Sequence, residues 1–431
     1  MGNSSSRKAP PVITTCKSPV YCVRRIGNRH LLLAGGGGAA ATGVTNQIET
    51  LLLTADLHCQ TGSIPLKATL SSQIRTDPYA TMNMDVVGLG SADQGRYLIA
   101  CGQDEFCVIY ESNGFIVDPE DTEKNLSFDI RPVGKLRTDE KADGPYQKCC
   151  AFDRSTHGSR IVTGGADGHV RVWSVRDLVE HRDPTLTRKS LLDINAHKSD
   201  VDAVDVSPDG RYVVSVGDGT ALIWCLQLGK QIAQIPPPPT LSQGFKVRSV
   251  QFTTLGDKNL VLLAAFNQTS RTSSSVAYLV LYVFNRESGN IRPIVVKDVL
   301  RGDAISTVSL SQDGSLVGVG TMGGTVLVLE THELKTLLVV PQTHGIFVTG
   351  VEFLDHSARD LQLPRELSLE GSIPGPAAPY RASLVSLSAD QTVQVHNIPF
   401  HSSSSFSLSL FCISLLSFIS YLFFWFLTCY I

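Results

Sequence analysis

The sequence predicts an all-β fold, a seven-bladed β-propeller followed by a single C-terminal transmembrane helix. Three observations predict it: one strand ending recurs seven times, Gly and Pro number 36 and 21, and the last 26 residues carry no charge. The recurring ending is a turn with Asp, Gly or Asn followed by alternating apolar residues that finish on a large one. It is clearest in GADGHVRVW, ending at Trp173, and GDGTALIW, ending at Trp224. Weaker copies end at Tyr110 (GQDEFCVIY), Leu329 (TMGGTVLVL) and His396 (SADQTVQVH). Two further strands keep the rhythm, SSSVAYLVLYVF to Phe284 and NQIETLLL, ending near Leu52.

These anchors lie 58, 63, 51, 60, 45 and 67 residues apart. Compact WD blades repeat every ~40 to 45 residues, so the connections here are extended. One copy is legible as a whole WD-type blade: His197 in NAHKSDVDAVDV, a Pro-Asp-Gly turn in SPDGRYVVSVG, then DGTALIW. At that spacing His197 reads as a structural hydrogen-bonder rather than a catalyst. A second partial copy starts at His344, and residues 355–380 read as an insertion before SLVSLSADQTVQVHNIP closes the ring. Pro236 to Pro239 cannot donate to a ladder and belong in an extended connection between blades.

The uncharged tail, residues 406–431, would span ~39 Å as a helix against a hydrocarbon core of ~30 Å. Tyr421, Trp425 and Tyr430 suit an interface belt. The chain is thereby divided into a flexible N-terminus (1–12), a cytosolic propeller (13–400), a Ser-rich link (401–405) and the membrane helix (406–431). No apolar core of signal-peptide length lies at the start, and Gly2 with Ser6 matches the N-myristoylation pattern.

The formal charge of -3, with 37 basic and 40 acidic residues interspersed, gives no positive field for nucleic acid. The ten Cys show no CxxC spacing and read as reduced thiols. No HExxH, HxH or GxSxG is present and no tight acidic cluster marks a metal, so ordinary catalysis is not expected.

The segment HLLLAGGGGAAATGVTNQIETLLL, residues 30–53, stands apart. Consecutive glycines cost backbone entropy. Neither a phosphate loop nor a dinucleotide fingerprint fits, because no Lys and no helix follow. Three uses remain: close backbone packing, ion binding by carbonyls, or an exposed loop offered to a partner.

LLLAGGGGAAATGVTN resembles the first blade of the endoplasmic-reticulum Sar-GTPase guanine-nucleotide exchange factor family, which includes the prolactin regulatory element-binding protein and lies in the WD-repeat superfamily. YATMNMDV (79–86), the sparse WD repeats and the apolar tail extend the resemblance over nearly the whole chain. It implies GDP release from a Sar-type small GTPase at the endoplasmic-reticulum membrane, initiating coat complex II vesicle formation with coat complex II components as further partners. Gly35, Gly36, Gly37, Gly38, Thr42, Gly43, Val44 and Asn46 would form the GTPase-contacting loop, Val44 as an apolar wedge and Asn46 ordering the loop or bonding the partner. Such an exchange needs no acid or base and no cofactor, beyond a monovalent cation that glycine carbonyls could hold. Ala41 stands where many animal members carry Lys. Two alternatives stay open: a membrane-anchored WD-repeat scaffold without exchange activity, and a transcription regulator.

Overall fold

A computed structural model describes residues 11–40, 43–55, 66–90, 94–117, 126–180, 188–241, 244–256, 259–270, 272–356, 375–400, 413–422 and 425–426. Among the described residues twenty-eight strands form seven four-stranded antiparallel sheets, the blades of a propeller. Each of the seven anchors read from the sequence lies on the third strand of a blade. Leu52, Tyr110, Trp173 and Trp224 lie on Gln47–Ala55, Phe106–Val117, His169–Ser174 and Thr220–Cys225. Phe284, Leu329 and His396 lie on Val276–Phe284, Val326–Glu330 and Thr392–Ile398. The third strand is the legible one because it is largely buried on both faces and, outside blades 1 and 5, follows a short turn.

The inner strands, Val20–Ile26, Asn83–Gly88, Gln147–Phe152, Val201–Val206, Phe245–Thr253, Ile305–Leu310 and Val348–Phe353, pack side by side around a central channel. In six of the seven the register slips near the start of the inner strand, as at Val20/Cys22 and Val201/Ala203; blade 2 keeps an even register. A slip at the same place in six blades is a repeated structural rule, since a bulge adds twist where the chain turns onto the channel wall.

The core is seven apolar clusters, one in each gap between neighbouring blades. Ile26, Ile48, Ile99 and Phe128 join blades 1 and 2, and Val216, Ile223, Phe252 and Tyr282 join blades 4 and 5. Leu31, Leu33, Val385 and Val393 close the ring between blades 7 and 1. Each fully buried side chain of this size contributes about 1.5–3 kcal/mol of transfer free energy, so the ring is held by blade faces more than by connections.

Closure corrects the sequence reading in one respect. The last strands do not finish the ring alone: the outer strand of blade 7 is the N-terminal Val12–Thr15, which pairs with Thr392–Ile398 in the register Thr15↔Thr392. The first and last strands of the chain thereby lock each other. Pro236 to Pro239 do lie between blades, and Pro236 O accepts the Tyr282 hydroxyl at 2.7 Å.

The transmembrane expectation fares differently. Residues 413–422 and 425–426 are helical and exposed, but among the described residues no helix is long and apolar enough to cross a membrane. The remainder of 406–431, and all of 401–405, lie outside the described residues. The insertion read at 355–380 is likewise only partly described, at 355–356 and 375–380.

Antiparallel pairing fixes what each pole of the propeller carries. The connection from second to third strand and the one leading into each inner strand share one pole; the first-to-second and third-to-outer turns share the other. The glycine segment joins second and third strands, so it sits on the first pole. The chain leaves blade 7 after Ile398, at the second.

Candidate functional site

In blade 1 the second strand, His30–Gly35, is buried throughout and the third begins at Gln47. Between them the chain bulges outward, and its glycines serve two different needs. Gly35 and Gly36 are required for space: a Cβ at Gly35 would lie 2.0 Å from Pro19 O, and one at Gly36 would lie 2.2 Å from Asn46 Oδ1. Gly36 N–H donates to Pro19 O at 3.0 Å, tying the loop base to the link between the first two strands. Gly38 and Gly43 have open space around them but φ of +74° and +77°, where an L side chain is strained. Gly37 is half-buried beside them. Thr42 and Ala41 lie outside the described residues.

Asn46 organises the loop. Its residue is only 2% exposed, and its amide is held on every side. Oδ1 accepts Gly38 N–H at 2.9 Å, while Nδ2 faces Gly38 O at 3.1 Å, Asp77 Oδ1 at 3.1 Å and Pro78 O at 3.0 Å. Its backbone N–H also donates to Asp77 Oδ1 at 3.1 Å. Of the two roles open to Asn46, ordering the loop is the one this geometry performs. Ser18 Oγ donates to Thr45 O at 3.2 Å, a second strap. Asn46 and its straps thus fix the loop base, while Gly43, Val44 and Thr45 are exposed, Val44 by 37%.

Asp77, Pro78, Ser18 and Pro19 were not legible as parts of this site. Asp-Pro reads only as a turn, and no local pattern reports a contact made across about thirty residues. The oxygens that could hold a monovalent cation, Gly38 O, Pro78 O and Asp77 Oδ1, converge instead on Asn46 Nδ2, so a cation at that point would displace the amide rather than join it. Among the described residues no group of three or more His, Cys, Asp or Glu could hold a metal.

His197 is structural, as its spacing implied. Its Nε2 lies 2.8 Å from Ser215 Oγ, which also accepts Trp224 Nε1–H at 2.9 Å, and Nδ1 lies 3.9 Å from Asp218. Blade 7 repeats the arrangement with His344, Ser386 and Asp390, and His396 in the aromatic position. Burial lowers the pKa of His197 and His344, with Asp218 and Asp390 offsetting part of it, and burial beside His344 brings His396 down to about 3. Burial and neighbouring thiols raise the Cys101 and Cys149 thiols far from reactivity.

The opposite pole holds the channel mouth, a cavity of about 1080 Å3 lined by charged side chains of the inner strands. Arg154 Nη2 meets Asp85 Oδ1 at 2.8 Å, and Arg24 reaches Asp85 at 3.6 Å and Glu352 at 3.7 Å. Burial opposes ionisation of Asp85, but Arg154 and Arg24 outweigh it and hold its carboxyl below the ordinary range. Burial raises Glu352, and pushes Asp205 up to about 6 despite the Phe252 N–H it accepts at 2.7 Å. Asp85 likewise accepts Phe152 N–H at 2.8 Å from the next blade. These carboxylates bind neighbouring blades together.

Fold and site together define a WD-type seven-bladed propeller with a projecting glycine loop. The WD domain, G-beta repeat family matches residues 142–174 and 188–225, the region of blades 3 and 4. Beyond those repeats the chain is similar to the guanine nucleotide-exchange factor SEC12 of Rattus norvegicus, 27% identical over 414 residues, covering 88% of this chain and 89% of the relative. The SEC12 of Mus musculus is 26% identical over 417 residues, with the same coverage. SEC12-like protein 2 of Arabidopsis thaliana is 25% identical over 238 residues, 55% of this chain and 52% of its own length. The resemblance read from the glycine segment therefore extends along most of the chain.

Proposed function

We propose that this protein is a guanine-nucleotide exchange factor that promotes GDP release from a Sar-type small GTPase. The observation that carries the reading is the glycine loop itself: an Asn46-braced base under an exposed Gly43–Val44–Thr45 tip, on a chain similar along 88% of its length to exchange factors. A WD blade turn needs two residues, as Asp218-Gly219 demonstrates, so a loop of this size has a use beyond joining strands.

Exchange of this kind is a shift in populations. The loop and the pole around it bind the nucleotide-free GTPase better than the GDP-bound form, and that difference in affinity is the whole driving force. Val44 supplies an apolar wedge and Asn46 keeps the loop in one shape, so little ordering entropy is lost on contact. No covalent step and no cofactor is involved. The uncharged segment 406–431 tethers the chain to the endoplasmic-reticulum membrane with the propeller in the cytosol, where released GTPase would recruit coat complex II components.

The test is GDP release from a purified Sar-type GTPase, followed by tryptophan fluorescence, with the full chain added. Acceleration by the wild type that is lost in the Val44→Ala/Asn46→Ala variant supports both the activity and its loop. A folded, β-rich full chain that leaves GDP release unchanged sinks the exchange reading in favour of a scaffold.

A further inference from the structure

The pole that carries the glycine loop is chemically lopsided. Among the described residues of its connections five large apolar side chains are exposed: Val44 by 37%, Met82 by 38%, Met322 by 40%, Ile346 by 43% and Phe347 by 39%. Val44 and Met322 sit in second-to-third strand connections of blades 1 and 6. Met82, Ile346 and Phe347 lead into the inner strands of blades 2 and 7. At the corresponding connections of blades 3, 4 and 5 no large apolar side chain is exposed among the described residues; Asp167-Gly168 stands there in blade 3, and Lys198-Ser199 and Asp218-Gly219 in blade 4.

Backbone contacts join the apolar positions into one arc. Gly324, two residues past Met322, lies so close to His344 O and Ile346 O that a Cβ would sit 2.2 and 2.9 Å from them. Phe347 O accepts Ser388 Oγ–H at 2.8 Å, and Gln391 O accepts Cys16 N–H at 2.8 Å, which carries the contact from blade 7 to the link entering blade 1. Pro19 and Ser18 on that link hold the glycine loop, and Asn46 holds the Asp77-Pro78 turn that leads to Met82. These links place the apolar positions in sequence around the pole through blades 6, 7, 1 and 2, with the glycine loop in the middle and the exposed Lys17 and Asp77 between them.

Carboxylates edge it. Asp303 accepts Ala304 and Gly323 N–H groups at 2.7 and 2.9 Å, and Asp390 accepts Gly345 and Thr392 N–H groups, both at 2.9 Å. Neutral donors leave the charge in place, and the backbone donors and Thr392 that hold Asp390 lower its pKa against burial. Several large apolar side chains exposed on one pole among polar and charged ones suit a protein interface, and Met and Phe are residues that interfaces favour.

We propose that this arc is the docking platform for the small GTPase. Its partner surface is apolar at the centre and basic at the edges, and it seats across blades 6 to 2 while the glycine loop works at the nucleotide site. This rests on the exchange reading above, and adds to it a division of labour: the arc supplies affinity and the loop supplies release.

Rates of GDP release measured over a range of full-chain concentrations separate the two. Ile346→Ser/Phe347→Ser, and independently Met322→Ser, should raise the concentration giving half-maximal release about tenfold, the usual effect of truncating interface anchors, and leave the maximal rate within about twofold. Leu228→Ser, at a side chain 63% exposed on the other pole, should change neither. Because the substituted side chains are exposed, circular dichroism and thermal melting should match the wild type. Wild-type acceleration with an unshifted half-maximal concentration in both arc variants overturns the platform and leaves the exchange reading standing. No acceleration by the wild type overturns both.

Discussion

Blades 1 and 4 make the same connection, from second strand to third, in opposite ways. In blade 4 it is Asp218-Gly219, pinned by the His197–Ser215–Trp224 chain at 2.8 and 2.9 Å, and Gly217 packs so closely on the His197 ring that a Cβ would lie 2.5 Å from Cγ. In blade 1 it is residues 36–46, and the bracing passes to Asn46 and Asp77, a residue from the entry to the next blade. Both solutions bury a polar side chain and satisfy it with hydrogen bonds, as a low-dielectric interior demands. The difference is what each fixes. Blade 4 fixes a turn within its own sheet, and blade 1 fixes the base of a loop whose tip stays outside.

If that contrast is right, damage to the two braces should separate activity from stability. Asn46→Ala strips the side-chain donor from Gly38 O and Pro78 O and the acceptor from Gly38 N–H, while Asp77 Oδ1 keeps the backbone N–H of residue 46. Asp77 and Pro78 are exposed and Gly38 is half-buried, so water takes over most of the lost bonds at little cost to the fold. The loop should lose its single shape, so GDP release should fall about a hundredfold, equivalent to ~2.7 kcal/mol of lost transition-state binding. Urea denaturation should shift little, since the sheet register does not depend on the loop. His197→Ala should do the reverse, lowering global stability by about 2 kcal/mol through the Ser215 hydroxyl left without its imidazole partner and the space the ring vacates against Gly217, while each folded molecule keeps full exchange activity. Equal losses of activity in both variants would break the comparison.

The same contrast explains what the sequence could and could not reveal. Third strands were legible in all seven blades, from Leu52 to His396, because alternation and a preceding turn are local signals. His197 was legible because its blade is compact. The glycine segment announced itself by composition, but its brace did not: Asp77 and Pro19 reach it only through the ring. Val12–Thr15 escaped for the same reason, being an edge strand whose partner lies at the far end of the chain. The exposed arc of Met322, Ile346 and Phe347 has no sequence signal at all, since only closure of the ring brings blades 6 and 7 beside the loop of blade 1.

The smallest effect should come from the inner strand of blade 4, and it sharpens the claim that this blade serves stability alone. Asp205 accepts Phe252 N–H at 2.7 Å across the blade gap, and burial raises its pKa from 3.8 to about 6, with Arg154 lowering and Asp85 raising it. A carboxyl whose folded pKa is raised stabilises the fold fully only below its unfolded pKa, and loses that contribution as pH climbs through the folded value. The wild type should therefore lose this contribution between about pH 4 and pH 6. Asp205→Asn keeps an oxygen for Phe252 N–H and carries no charge at any pH. Its denaturation midpoint relative to wild type should rise from pH 4.5 to pH 7.5, with GDP release unchanged at both. A difference that stays flat across that range would mean the carboxylate is stabilised by its neighbours as well as an uncharged group would be; a difference that reverses would assign Arg154 to Asp205 rather than to Asp85.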